Sequence, residues 1–154
     1  MPPFNHLHPL IVHFPIALLM FAPALVVLGL AWPAQRRGIH LAALMDLAAG
    51  VLSGLAALVT GEAASSLAQR TPALRLALAA HEHYAQLTVA GFAVLTAAFA
   101  LLWFLPGALG RARLNFLLGL WLVLCAAWLT MLIQTGRLGG LMVHELGTHS
   151  EERP

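Results

Sequence analysis

Residues 8–32 read HPLIVHFPIALLMFAPALVVLGLAW, an apolar run that contains no Asp, Glu, Lys or Arg. A helix needs about 20 apolar residues to cross a hydrocarbon core about 30 Å thick. Three further apolar stretches follow, and the sequence predicts transmembrane helices near Pro9–Trp32, Ile39–Glu62, His83–Leu105 and Leu114–Gln134. We therefore expect an all-α integral membrane four-helix bundle, with residues 1–154 forming a single domain.

The composition agrees with this class and argues against several others. With 60% hydrophobic and 9% charged residues, the chain has too few charges to solvate the surface of a soluble domain. The arginines are scattered at loop positions, so we expect no nucleic acid partner. The sequence has no nucleophile elbow, no Walker-type loop and no paired catalytic carboxylates. These features favour an electron carrier or a binding protein, surrounded by membrane lipid, over a stand-alone enzyme.

The arginines also predict an orientation. Arg36 and Arg37 lie between the first two helices, and Arg111 and Arg113 lie between the last two. Short cytoplasmic loops accumulate positive charge, so both loops should face the cytoplasm and both termini should face out. We expect a multi-pass protein of a bacterial inner (cytoplasmic) membrane. Whether it forms a homo-oligomer is left open.

This topology places seven of the eight histidines on the outer side of the membrane, and His40 alone lies opposite, where we expect an interfacial residue. The outer set is His6, His8, His13, His81, His83, His144 and His149. Imidazole is a poor lipid-facing group but a good ligand for haem iron, copper and zinc. The cluster therefore predicts a cofactor or metal site. His6 and His149 lie near the termini and are expected to be exposed.

Helical spacing predicts which histidines face the bundle interior. His81 shares a face with Ala85 and Thr88, whereas His83 points away and should lie at the headgroups with Tyr84. In the first helix His13 is expected to face inward together with Ala17, Met20 and Ala24. The second helix should pack through Asp46, Gly50, Ser53, Ala57 and Thr60, and the fourth through Gly119, Ala126 and Thr130, beside Trp121 and Trp128.

Prolines and glycines predict local irregularities. Pro15 and Pro23 should bend the first helix, with the bend just past His13. Glu62 is expected to end the second helix, and a break of the helix at Gly61 would turn it toward the histidines as a ligand or as the partner of a ligand. The Gly139-Gly140 pair should let the chain leave the fourth helix, so that His144 folds back beside Glu62 and His8.

The segment His8-Pro9-Leu10-Ile11-Val12-His13-Phe14-Pro15-Ile16-Ala17-Leu18 resembles the His-Pro-x-x-Val-His-Phe-Pro signature of a bacterial membrane-protein family, domain of unknown function 2231. The resemblance continues through Asp46, Gly61-Glu62, His81 and the Gly139-Gly140 element. In the family this element usually carries a tyrosine where this sequence has His144. Relatives are joined to Rieske-type or cytochrome c-like domains, so the resemblance implies membrane electron transfer with a periplasmic cytochrome c or Rieske-type partner.

Three functions compete at this stage. The first is a b-type cytochrome whose haem b is held by His13 and His81, with His8 as the first substitute. The second is a non-haem site for a Cu, Zn or Fe ion, with ligands from His8, His13, Glu62, His81 and His144. It lacks close ligand pairs, because His8 and His13 diverge by about 140° on a regular helix. The third is a structural or assembly subunit without a cofactor.

Asp46 is a separate candidate, because an ionised carboxylate inside a membrane is costly unless it is paired. It is expected to bond Asn115 or a loop arginine, or to relay protons.

Overall fold

Four long helices dominate the structure, a computed structural model that describes residues 8–67, 71–104 and 110–144 and, for residues 9, 66, 67 and 144, the backbone alone. The helices are α1 (His8–Ile11), α2 (His13–Ala31), α3 (Arg36–Leu67), α4 (Pro72–Phe104) and α5 (Arg111–His144). The described residues form no strand. Helices α2 to α5 are each long and apolar enough to cross a membrane, as the sequence predicts.

The four long helices close into a bundle. Helix α2 packs on α3, α3 on α4, α4 on α5, and α5 returns to α2, while the short α1 lies against α3. The core consists of large apolar side chains from all four long helices, among them Leu19, Leu47, Phe92, Phe99, Leu118 and Trp121. The predicted all-α four-helix bundle is therefore confirmed.

The outer surface of the bundle is apolar as well. Val59, Leu76 and Phe116 each expose 70% or more of their surface, and many other large apolar side chains are also exposed. A soluble monomer rarely shows apolar area on this scale, because such area drives association in water. Contact with lipid removes this penalty, and the helices satisfy their backbone polar groups internally.

The last three helices are longer than the sequence predicts. Helix α4 begins at Pro72 rather than His83, and α5 continues to His144 rather than ending at Gln134. At 1.5 Å per residue, helices of 32 to 34 residues are about 50 Å long and exceed the hydrocarbon core. Helix α3 continues through Gly61 to Leu67, and the prediction that the chain leaves the fourth helix at Gly139-Gly140 is wrong.

A break near the start of the bundle separates α1 from α2. Val12 lies between the two helices, and its N–H still bonds the carbonyl of His8 at 3.1 Å. Pro15 explains the break. It has no N–H to donate the helical hydrogen bond to the carbonyl of Ile11, and its ring crowds that carbonyl. Val12 keeps helical backbone angles (φ −61°, ψ −24°), so the interruption lies one residue before His13 and the helical path continues through it. Pro23 lies within α2 without interrupting it.

The predicted faces of the first and last long helices are wrong. Helix α2 buries Pro15, Leu19, Ala22, Val26 and Gly29, whereas His13, Ala17, Met20 and Ala24 are exposed. Helix α5 buries Leu118, Trp121, Cys125 and Leu132, whereas Ala126 and Thr130 are exposed. Large side chains rather than small ones make the α5 contact, because the indoles of Trp121 and Trp128 donate to the carbonyls of Leu95 and Leu87 on α4.

Candidate functional site

His8 opens α1 and reaches across to α3. Its Nδ1 lies 3.2 Å from Oγ1 of Thr60. The Thr60 hydroxyl already donates to the carbonyls of Ala56 and Ala57, at 3.0 and 3.2 Å, so its oxygen accepts from His8. Nδ1 of His8 therefore carries the proton, and Nε2 keeps a lone pair.

Small residues on α3 allow this approach. A Cβ atom placed on Gly61 would lie 3.0 Å from Cε1 of His8, tighter than nearly all real contacts of this kind. The carbonyl of Ala57, one turn before Gly61, also lies beside the ring. Burial lowers the pKa of His8 below 6.5, and the positive charge of a protonated His81 lowers it further, against the raising effect of the Ala57 carbonyl. His8 is thus a neutral imidazole at neutral pH, close to His81.

His81 lies on α4 and is held by α5 in the same way. Its Nδ1 lies 3.0 Å from the carbonyl oxygen of Thr135. A carbonyl only accepts hydrogen bonds, so Nδ1 donates and Nε2 again keeps the lone pair. The ring packs on Gly139, where a Cβ atom would lie 3.4 Å from Cε1. The prediction that His81 faces the interior together with Thr88 is confirmed, because Thr88 is buried and His81 is half-buried.

Two threonine side chains, one on α4 and one on α5, also join these helices near His81. The Thr135 hydroxyl donates to the carbonyl of Met131 at 2.9 Å, so the 3.2 Å contact between the two hydroxyl oxygens is a donation from Thr88 to Thr135. This contact fixes α5 against α4 about two helical turns from His81. Thr135 is a residue that the sequence analysis missed.

The other predicted ligands do not join His8 and His81. His13 and Glu62 are exposed, and His83 is exposed with its ring against Tyr84, as predicted for His83. Helix α5 carries the backbone of His144 about 13 Å beyond Thr135 along its axis, so His144 does not fold back as predicted. The side chain of His144, together with His6 and His149, lies outside the described residues. Within the described part of the chain, no three His, Cys, Asp or Glu side chains form a group that could hold a metal ion.

Comparison with known proteins identifies the family of this chain. The model of a family described as predicted membrane protein, DUF2231, matches residues 5–152. The chain belongs to this family. Neither the curated proteins nor the solved structures contain a match to it. The match includes His8, Thr60, His81 and Thr135, so the whole histidine site lies within the DUF2231 domain.

Asp46 of this DUF2231 protein lies on the predicted inner stripe of α3, and this stripe is confirmed because Gly50 and Thr60 are buried. Neither predicted partner reaches Asp46. Oδ2 of Asp46 is buried and has no hydrogen-bond partner among the described residues, and Asn115 is exposed. The predicted pairing with Asn115 or a loop arginine is therefore wrong.

His40 lies at the other end of the bundle and is buried, with 6% of its surface exposed. The interfacial position predicted from its neighbouring arginines is wrong. Nε2 of His40 lies 3.2 Å from the carbonyl oxygen of Val26, and its ring meets Phe99 edge-on at 5.6 Å. Gly29 makes room for the ring, since any Cβ there would overlap it. His40 is thus a packing residue between α2, α3 and α4.

Proposed function

We propose that this DUF2231 protein is a membrane b-type haem protein that carries electrons, with His8 and His81 as axial ligands. The proposal rests on the observation that the two imidazole rings have the same hydrogen-bonding pattern. Each donates from Nδ1 to an oxygen of a neighbouring helix, and each keeps a lone pair on Nε2.

Bis-histidine ligation needs two neutral imidazoles that come from different segments and hold fixed orientations. His8 and His81 meet this requirement, because α3 holds one ring and α5 holds the other. A hydrogen bond from Nδ1–H to an oxygen also makes the opposite nitrogen more basic, and therefore a better ligand. Haem supplies one-electron redox chemistry when bound. The pair proposed here replaces the His13–His81 pair expected from the sequence.

Glycines at this end of the bundle favour a flat ligand. A Cβ atom on the half-buried Gly140 would meet no described atom within 4 Å, which indicates open space on the α5 side. Gly61 and Gly139 present only backbone to the two rings. A non-haem site would need at least one more ligand, whereas haem needs only the two imidazoles present.

For the cellular setting we propose the bacterial inner membrane, with both termini outside and the histidine site facing the periplasm. Arg36, Arg37, Arg111 and Arg113 support this orientation, because they flank the two short connections at the end far from His8 and His81. A cytochrome c or a Rieske-type protein would then be the redox partner, as the joined domains of relatives suggest.

Absorption spectroscopy of the purified full-length protein tests the haem proposal. We expect a Soret band that shifts on reduction, together with an electron paramagnetic resonance signal of low-spin bis-histidine iron. His8→Ala and His81→Ala should each abolish or convert this signal. His83→Ala is the matched control on the same helix, and His13→Ala distinguishes the new pair from the old one; both should keep the wild-type spectrum.

Two results would contradict the proposal. A colourless protein that binds Cu²⁺ or Zn²⁺ through His8, His81 and His144 would indicate a non-haem site instead. A protein that binds neither haem nor metal, and loses only thermal stability in His8→Ala and His81→Ala, would indicate that the two rings are structural contacts. Circular dichroism of each variant shows whether a lost signal reflects lost ligation or lost fold.

A further inference from the structure

A cavity of about 300 Å³ lies at the end of the bundle opposite His8 and His81. Its polar lining includes Arg36, Arg37 and His40, and its apolar lining includes Phe99 of α4 and Leu118 of α5. The cavity therefore joins a cationic group to an apolar surface between two helices. Nothing in the proposed haem site uses it.

Arg36 carries a positive charge into this cavity without compensation. Its Nη2 atom is buried and has no hydrogen-bond partner within the described ranges. Arginine stays protonated in proteins, so Arg36 cannot escape this cost by losing its proton. Arg111, at the start of α5, is close enough for its charge to repel that of Arg36. A guanidinium nitrogen that is buried without a hydrogen-bond partner is unfavourable, so the site favours an anion.

The chain has no acidic residue near enough in sequence to provide that anion. Its six acidic residues are Asp46, Glu62, Glu82, Glu145, Glu151 and Glu152. Asp46 is the one nearest to Arg36, and it lies ten residues further along α3, about 15 Å away along the helix. The connections at this end, residues 32–35 and 105–110, contain no acidic residue. None of the carboxylates in the described part of the chain is therefore placed to neutralise Arg36.

Trp103 places the cavity at the level of lipid headgroups. Its ring lies 5.5 Å from the guanidinium carbon of Arg37, and its Nε1 donates to the carbonyl of Arg37 at 3.4 Å. Tryptophan is enriched at the membrane–water interface, and arginine binds phosphate through its planar fork of donors. Leu102 and Leu114 are half-buried and give the lining an apolar surface that a ligand can reach, so an anion at Arg36 that also covers them must carry an apolar chain.

We propose that this cavity binds an anionic phospholipid, with the phosphate at Arg36 and Arg37 and an acyl chain along the half-buried Leu102, Trp103 and Leu114. Basic pockets between transmembrane helices on the cytoplasmic side are suited to such headgroups. The site is independent of the haem proposal, because it lies at the other end of the bundle.

Native mass spectrometry of the full-length protein in detergent tests this site, with phosphatidylglycerol or phosphatidylcholine as the added lipid. We expect one retained phosphatidylglycerol per chain and no comparable phosphatidylcholine adduct. Arg36→Gln should weaken the binding of phosphatidylglycerol by at least about fivefold, because one phosphate contact is lost. Arg113→Gln is the matched control, because Arg113 is exposed at the same end but does not line the cavity. It should bind within about twofold of wild type.

Arg36→Lys keeps the charge but loses the planar fork of donors, so it should retain only part of the binding, and it tests the site even if Arg36→Gln does not fold. Several results would overturn the proposal. Equal retention of the two lipids, or equal loss in Arg36→Gln and Arg113→Gln, would indicate general attraction to the surface. Displacement of phosphatidylglycerol by inorganic phosphate at similar concentration would indicate a free-anion site. A dimer that dissociates in Arg36→Gln would indicate that a second copy supplies the anion.

Discussion

His81 on α4 and Thr135 on α5 are joined by a hydrogen bond of 3.0 Å between the ring Nδ1 and the main-chain carbonyl oxygen. In a regular helix that carbonyl also accepts the N–H of Gly139, four residues later. His81 packs against the same glycine. The absence of a Cβ on Gly139 thus leaves the Thr135 carbonyl open to a ring from the next helix.

The same relationship occurs once more in the bundle, and His8 repeats part of it. The His8 ring packs on Gly61, and the carbonyl of Ala57, four residues earlier, lies beside the ring. Trp128 donates to the carbonyl of Leu87 at 3.1 Å and packs on Gly91, again four residues later. A ring N–H therefore reaches a main-chain carbonyl where the residue four positions later is a glycine. Because glycine has no Cβ, nothing covers that carbonyl. This pattern explains why these glycines remain inside helices, although glycine costs about 1 kcal/mol there relative to alanine.

The first prediction compares two of these glycines. In Gly61→Ala the new methyl group meets His8 at 3.0 Å and should displace the ring, whereas in Gly139→Ala it meets His81 at an ordinary 3.4 Å. We expect Gly139→Ala to be neutral or to gain up to about 1 kcal/mol from helix propensity. Gly61→Ala should be less stable than Gly139→Ala by about 1–2 kcal/mol, because overpacking offsets this gain. Unfolding in mixed micelles measures both, and equal stabilities would contradict the contact at His8.

The second prediction concerns acid. Because the pKa of folded His8 is below 6.5, the unfolded chain takes up a proton first as the pH falls. This group therefore lowers the free energy of unfolding as the pH decreases from about 6.5 to its folded pKa, and has no further effect below that pKa. We expect His8→Asn to lose this part of the pH dependence of thermal stability between pH 7.5 and 5. His83→Asn, which changes an exposed histidine, should behave as wild type.

The third prediction concerns orientation. A reporter fused after Arg37 should be active in the cytoplasm, and one fused after Arg70 should be active outside, because the arginines of the first connection favour the inside. Changing both Arg36 and Arg37 to Gln should weaken this preference and give mixed reporter activity. The reverse pattern in the wild-type chain would move the histidine site to the cytoplasmic face.

The sequence predicted the inner faces of α3 and α4 but not those of α2 and α5, and for α2 the composition explains the difference. In α3 and α4, small or polar residues such as Gly50, Thr60 and Thr88 alternate with large apolar ones, so helical spacing marks one face. Helix α2 is apolar on every side, and no periodic signal shows whether His13 or Pro15 faces inward.

The choice between His8 and His13 failed because it depended on which face of the first helix turns inward. Val12 keeps helical backbone angles, so His8 and His13 diverge by about 140°, as on a regular helix. His8 lies seven residues, or about two turns, before the buried Pro15 and therefore shares its face. The role of Thr135 is hidden for another reason, because its backbone carbonyl rather than its side chain binds His81.

The fourth prediction tests how His40 is packed. Gly29→Ala places a methyl group inside the space filled by the His40 ring, which is held between Val26 and Phe99. The ring must leave its hydrogen bond to the Val26 carbonyl, and we expect a loss of about 1–3 kcal/mol in the free energy of unfolding. Gly38→Ala is the matched control, because a methyl group there meets no described atom within 4 Å. That change should be neutral or stabilise the helix by up to about 1 kcal/mol. Thermal unfolding of both variants in the same detergent decides the matter, and a Gly29→Ala protein as stable as Gly38→Ala would show that His40 does not occupy this position.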